Sequence, residues 1–272
     1  MPNREAASRK MWTPMKIYWL DVRNLFADQD EKKKRERPGP EFLHGSDGKA
    51  ARFAGSAVTQ DETCEKLFRR VLGLLSREER ETAMAFRFSR DRLLYASAHA
   101  MTRTVLAAKA DDPLSLTFVR NAYGKPFLAR TPALRFNLSH SWPWAALVVS
   151  TRRSCGVDVE SVDAGDNWRE IVGYACNRDD MRRISLSENP SLAFIRVWTA
   201  KEAVSKALGR GLSLPFQDIE FDSAMGRVRV RGKMVRMALR IDETLVPGAV
   251  MATAWAGRDH PEPGPETAFF QL

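Results

Sequence analysis

The sequence is sparing with cysteine and contains no long apolar run. Its 272 residues hold three cysteines, Cys64, Cys155 and Cys176. None forms a CxxC pair and none has a histidine nearby at zinc spacing, which argues against the common structural zinc sites. Three free thiols suit a reducing compartment. No stretch approaches the ~18 apolar residues of a membrane span. The first ten residues are charged and polar, where a signal peptide would need an apolar core. A cytoplasmic protein without a membrane segment is expected. A GxSxG elbow is also missing, so a serine hydrolase is not indicated. Acidic residues are the minority among charges: 34 Asp and Glu stand against 43 Lys and Arg, for a formal net charge of +9. That excess favours an anionic partner without choosing among nucleic acid, a phosphorylated ligand and an acidic protein.

The hydrophobic fraction of 44% and charged fraction of 28% are ordinary for a globular chain with a sizeable core. Residues 1–15 read as a disordered leader. Residues 16–22, KIYWLDV, read as a first strand. Residues 28–58 contain DEKKKRERPGP and few large apolar side chains, and read as a disordered insertion. Its basic run lacks the interleaved aromatics that stack on bases, so a solvated loop is favoured over a nucleic-acid patch. Residues 64–75 show helical spacing. Ser76, with Glu79 three positions on, has the form of a capping box opening a second helix. Residues 90–109 form a long helix with Leu93, Leu94, Ala98, Met101, Val105 and Leu106 inward. Short strands follow at 116–119, 135–138 and 145–150, the first leading into a turn at Tyr123–Pro126. The second half repeats the plan: a strand at 155–160, an irregular helical stretch over 168–183, a long helix pair or one bent helix over 192–208, then strands at 219–221, 227–231, 236–241 and 250–255. Prolines 261, 263 and 265 mark a loose tail over 257–272. An α+β fold is expected, with two similar lobes related by a pseudo-twofold, 16–152 and 153–256. Each would pack an antiparallel sheet on a long helix, with a ligand between the lobes.

Three short constellations carry chemistry. In Gly156-Val157-Asp158-Val159-Glu160, strand alternation places Asp158 and Glu160 on one face. Two carboxylates on one face repel unless a cation lies between them, and hard oxygen ligands suit Mg²⁺. Gly156 leaves room for a close backbone or phosphate. In Trp198-Thr199-Ala200-Lys201-Glu202-Ala203-Val204-Ser205-Lys206, helical spacing puts Glu202 and Lys206 on one face; a surface ion pair is the plainer alternative. In Asn137-Leu138-Ser139-His140-Ser141, adjacent Ser and His point apart on a strand. His140 is then either a phosphate contact or a structural histidine.

Together these blocks resemble the Sfp-type 4′-phosphopantetheinyl transferase family. GVDVE and WTAKEAVSK stand at the family's spacing, with YGKP and FNLSHS upstream in its order. FRFSRDRLLY and GRGLSLP fit as well. The resemblance implies Mg²⁺-dependent transfer of phosphopantetheine from coenzyme A to a serine of an apo acyl or peptidyl carrier protein, releasing 3′,5′-ADP. Mn²⁺ would be an alternative metal. It implies that Asp158, Glu160 and Glu202 hold the metal, and that Glu202 and Lys206 act with Asp158 in catalysis. Tyr123, Gly124, Lys125 and Pro126 would line the adenine side. Asn137, Ser139 and His140 would contact the nucleotide and its phosphates, Lys201 and Lys206 the pyrophosphate, and Arg120 a phosphate. One departure stands out: the basic residue the family often carries four before the FRF phenylalanine is Thr82 here. Arg80, Arg87 or Arg92 is expected to grip the 3′-phosphate in its place. The partners expected are coenzyme A and the carrier, with no nucleic acid and a monomeric enzyme. The competing readings are a metal-dependent phosphodiesterase or nuclease using the same carboxylates, and a non-catalytic basic nucleic-acid-binding protein.

Overall fold

The computed structural model describes residues 15–23, 66, 68–107, 112–163, 168–222, 227–257 and 266–270. The leader, the 28–58 insertion and most of the tail lie outside the described residues. The elements in chain order are β1 (Met15–Asp21), α1 (Arg77–Ala85), α2 (Ser89–Leu106), β2 (Phe118–Arg120), β3 (Pro126–Leu128), β4 (Arg135–Ser141), β5 (Trp144–Ser150) and β6 (Cys155–Ser161). They continue with α3 (Trp168–Ala175), α4 (Arg178–Ser185), α5 (Pro190–Leu208), β7 (Ile219–Asp222), β8 (Arg227–Val230), β9 (Lys233–Asp242), β10 (Ala249–Ala256) and β11 (Glu266–Phe269).

The strands form sheets of order β11-β1-β5-β4 and β6-β10-β9-β8-β7, plus a small β2-β3 ribbon. The two lobes share one connectivity. Each runs from a strand through a long helix to a pair of strands whose second member inserts beside the first strand, giving β1-β5-β4 and β6-β10-β9. This is the expected α+β repeat. All six residues of the stripe foreseen on α2 are buried, in a core shared with Leu20, Leu147 and Val149. In the second lobe α5 supplies Phe194, Ile195, Ala200, Ala203 and Val204, which pack on Val250, Ala252 and Ala254 of β10. Among the described residues no helix is long and apolar enough to cross a membrane.

Two local details sharpen or differ from the sequence reading. The irregularity in 168–183 is a break at Asn177, which starts a new helix: its side chain accepts from Asp180 N at 2.9 Å while Asp180 reaches back to Asn177 N at 3.2 Å. The tail is not loose throughout, since β11 pairs parallel to β1, the exception to antiparallel order. The open edge of β1 explains this, and the Phe269 ring meets Trp19 edge-on at 4.8 Å between centroids.

Candidate active site

The lobes meet where β4 faces β6. Alternation sends Asn137, Ser139 and Ser141 to one side of β4, and that side carries the contacts to β6. Asn137 Oδ1 accepts from Val157 N at 2.9 Å, Ser139 Oγ donates to Asp158 Oδ1 at 2.7 Å, and Ser141 Oγ accepts from Ser161 N at 3.3 Å. On β6, Val157 and Val159 enter the core, which leaves Gly156, Asp158 and Glu160 on the opposite face. That face lies against α5. A Cβ on Gly156 would stand 2.2 Å from Ala203 O and 2.4 Å from Ala207 N. The glycine therefore makes room for helix backbone, and the close approach brings α5 side chains to the carboxylates.

Lys206 Nζ lies 2.6 Å from Asp158 Oδ1, 3.1 Å from Ser139 Oγ and 3.6 Å from Glu202 Oε2. Burial raises the Glu160 pKa and the Asp158 charge pushes it further, to about 7, against hydrogen bonds from Ser141 and Trp198 and the charge of Lys206. Burial also raises Glu202; Lys206 opposes this, while Asp158 adds to it. For Lys206, burial disfavours the charge, but Asp158, Glu202 and Glu160 outweigh burial and the pKa rises. Asp158 Oδ2 is buried with no hydrogen-bond partner among the described residues. Three carboxylates thus share one ammonium, and the cluster is short of positive charge. Among the described residues, no three His, Cys, Asp or Glu side chains close around a single metal-sized point.

A cleft of about 510 Å³ opens in the first lobe, lined by first-lobe residues alone. Its walls include Thr82, Tyr95, His99, Arg120, Pro126 and Leu138. Tyr95 and His99 stack at 4.1 Å between centroids. Exposed His140, one position along from Ser139, has its pKa lowered by partial desolvation and then by the charges of His99 and Lys206, so it is neutral at pH 7. The YGKP turn is built by Asn121, whose side-chain oxygen accepts from Tyr123 N and Lys125 N, both at 2.9 Å. Gly124 takes the positive φ of 85° that the turn requires. Arg210 Nη1 bonds Tyr123 Oη at 2.5 Å, and Arg120 Nη1 bonds Gly124 O at 3.0 Å.

Several expected ligand contacts are engaged elsewhere. Lys201 is fully buried and paired with Asp180, so it does not face the Lys206 cluster. Lys125 Nζ donates to Cys155 O at 2.8 Å and Lys206 O at 2.6 Å; its ammonium joins the lobes and satisfies a carbonyl near the end of α5. Asn137 serves the β4–β6 seam. Arg80 donates to Leu75 O at 3.0 Å, Arg92 donates to Phe86 O at 3.2 Å and stacks over Phe68, and Arg87 lies over Phe88. None of these three lines the cleft, whose arginines are Arg77, Arg103 and Arg120. Sequence reasoning passed over Asn121, Ser141 and Arg77. Only Asn121 carried a local signal, as an Asn two residues before a Tyr-Gly turn.

The fold and site define a class: a two-lobed α+β protein with a carboxylate–lysine cluster at the lobe seam and a cleft in its first lobe. A model described as the 4′-phosphopantetheinyl transferase superfamily matches residues 154–244, and one described as 4′-phosphopantetheinyl transferase, N-terminal, matches 61–152. The chain belongs to the 4′-phosphopantetheinyl transferase family. It is 31% identical over 163 residues to a phosphopantetheinyl transferase of Thraustochytrium sp., covering 54% of this chain and 57% of that protein. It is 29% identical over 148 residues to the 4′-phosphopantetheinyl transferase of Bacillus subtilis, covering 54% of this chain and 65% of that one. The human L-aminoadipate-semialdehyde dehydrogenase-phosphopantetheinyl transferase matches at 27% identity over 53% of this chain and 52% of its own. The chain thus aligns with between half and two thirds of the length of these relatives. Among solved structures, a holo-(acyl-carrier-protein) synthase from Bacillus anthracis, in complex with CoA (3′,5′-ADP), aligns at TM-score 0.31 and 18% identity. It covers 39% of this chain and 96% of its own.

Proposed function

We propose that this protein transfers the 4′-phosphopantetheine group of coenzyme A to a serine of an apo acyl or peptidyl carrier protein, releasing 3′,5′-ADP. The observation that carries the reading is the cluster of Ser139, Asp158, Glu202 and Lys206. It joins residues from three separate sequence blocks at one seam, and His140 next to Ser139 feels both Lys206 of the cluster and His99 in the cleft wall.

The residues fit a divalent metal. Asp158 Oδ2 is buried and unpartnered, and Glu160 and Glu202 are both raised toward protonation by burial and by Asp158. Mg²⁺ commonly takes only one or two carboxylates and completes its octahedron with substrate phosphates and water, so three converged side chains are not required. Asp158, with Glu160 or Glu202 as a second carboxylate, would hold it, with Mn²⁺ as a substitute. When bound it would supply positive charge that neutralises the substrate's phosphates.

The remaining work falls to the chain. In phosphoryl transfer, positioning and charge stabilisation supply most of the catalysis. Lys206 has three N–H donors: Asp158 and Ser139 take two, and the third, turned toward Glu202 at 3.6 Å, would swing to a phosphate oxygen of the departing 3′,5′-ADP. Glu202 has a raised pKa, which makes it a stronger base than an ordinary carboxylate, and it takes the proton of the carrier serine hydroxyl directly or through one water. Arg120 and Pro126 are in the cleft wall, where Arg120 would meet the nucleotide phosphates and Pro126 would border the adenine side, with Tyr123 on the neighbouring turn. The excess of basic residues suits both coenzyme A and an acidic carrier. Product analysis tests the reading. 3′,5′-ADP should appear mole for mole with modified carrier; nucleic-acid or coenzyme A hydrolysis without a carrier would support a phosphodiesterase instead.

A further inference from the structure

Lys201 sits in the centre of the WTAKEAVSK block, yet its side chain is 0% exposed. Residues one apart on a helix point about 100° apart. Glu202 and Lys206, four apart, can share a ligand, whereas Lys201 is turned away from it. Its Nζ donates to Ala175 O at 2.9 Å and to Asp180 Oδ2, which is equally buried. Ala175 is the last residue of α3, and Asp180 is the third residue of α4 and half of its capping box. The second oxygen of Asp180 accepts from Arg183 Nη2 at 3.0 Å. One ammonium therefore satisfies an open carbonyl at the end of α3 and the carboxylate that starts α4. It fastens both to α5 one residue before Glu202.

We infer that Lys201 is a positioning residue: it acts through Asp180 to fix the α3–α4 joint against α5, sets the orientation of Glu202, and does not touch coenzyme A. The inference rests on the proposed function for its kinetic consequence, though not for the ion pair itself. Removing one partner of a buried pair leaves an uncompensated charge. Replacing both by apolar groups of similar size is far better tolerated.

The test is a double-mutant cycle on the full chain with Lys201→Met, Asp180→Leu and the pair together. Three quantities are read: melting temperature, coenzyme A affinity by calorimetry, and kcat and KM on a carrier well below the melting point. Each single variant should melt lower than the parent and lose about tenfold in kcat, with coenzyme A affinity and KM held within about twofold. A misplacement of about 1 Å can cost roughly 10²-fold, so a smaller shift of Glu202 should cost about tenfold. The double variant should recover most of both losses. A tenfold loss of coenzyme A affinity in Lys201→Met, unrelieved by Asp180→Leu, would overturn the inference in favour of direct contact. Unchanged kcat in both singles would overturn it in favour of a purely structural pair. If the parent chain neither binds coenzyme A nor modifies a carrier, the parent reading fails, while the melting cycle still decides whether the two side chains act as a unit.

Discussion

Lys206 is held by the most buried carboxylate of the site, and this changes what its loss should do. As an exposed i,i+4 partner of Glu202 it would contribute under ~1 kcal/mol. Its partner, however, is Asp158, whose side chain is 3% exposed and whose second oxygen is already unpartnered. Lys206→Ala should cut turnover roughly 10²–10³-fold, as for loss of a donor to a developing charge. It should also lower the melting temperature, because a buried carboxylate loses its counter-ion. Lys206→Arg should recover only part of the rate, since a planar guanidinium does not reproduce a compact ammonium. Steady-state kinetics and thermal melts of the two variants check this. A second residue carries a pH signature. Burial alone would raise the Glu79 pKa, but bonds from His99, Arg103 at 2.5 Å and Ser76 N hold it at about 2. A carboxylate depressed in the fold stabilises it above its unfolded value, and that stabilisation is lost as pH falls from about 4.5 toward 2. Glu79→Gln should cost on the order of 3 kcal/mol at pH 7, with the gap to the parent closing near pH 2. Urea melts across that pH range measure it.

At the scale of elements, the pairing of α5 with β6 makes the site. Gly156→Ala would press a methyl group into helix backbone, where no side chain can rotate away. The expected cost is roughly 3 kcal/mol. Coenzyme A turnover should fall with it, because Glu202 and Lys206 ride on the helix that is displaced. A denaturant midpoint equal to that of the parent would show that α5 does not need this approach. These element-level features were legible where the signal is local. The Ser76–Glu79 capping box, the shared face of Asp158 and Glu160, and the Glu202–Lys206 spacing follow from periods of 2 and 3.6. What was not legible depends on partners far away in the chain. Lys201 meets Asp180 across 21 positions, and Lys125 meets Lys206 O across 81. A lysine in a functional-looking motif reads the same whether its partner is a phosphate or a buried aspartate. The β11 strand was missed for a related reason: it needs the open edge of β1, which no pattern in residues 266–270 reveals.

At the scale of the molecule, two lobes with one connectivity meet along polar bonds rather than through apolar contacts alone. Asn137 to Val157 N, Ser139 to Asp158, Asn121 to Gly209 O and Lys125 to Cys155 O each cross from one lobe to the other. Asp158 is therefore both a seam residue and a site residue, so the chemistry depends on both lobes being in place. The central claim is that this seam moves a phosphopantetheine group. Its most direct test is the intact mass of an apo carrier protein incubated with the full chain, coenzyme A and Mg²⁺, beside a carrier whose acceptor serine is alanine. The serine carrier should gain one phosphopantetheine and the alanine carrier none, and the gain should be lost with chelator or with Asp158→Ala. Unmodified apo acyl and peptidyl carriers throughout, with a folded enzyme and saturating coenzyme A, would contradict it.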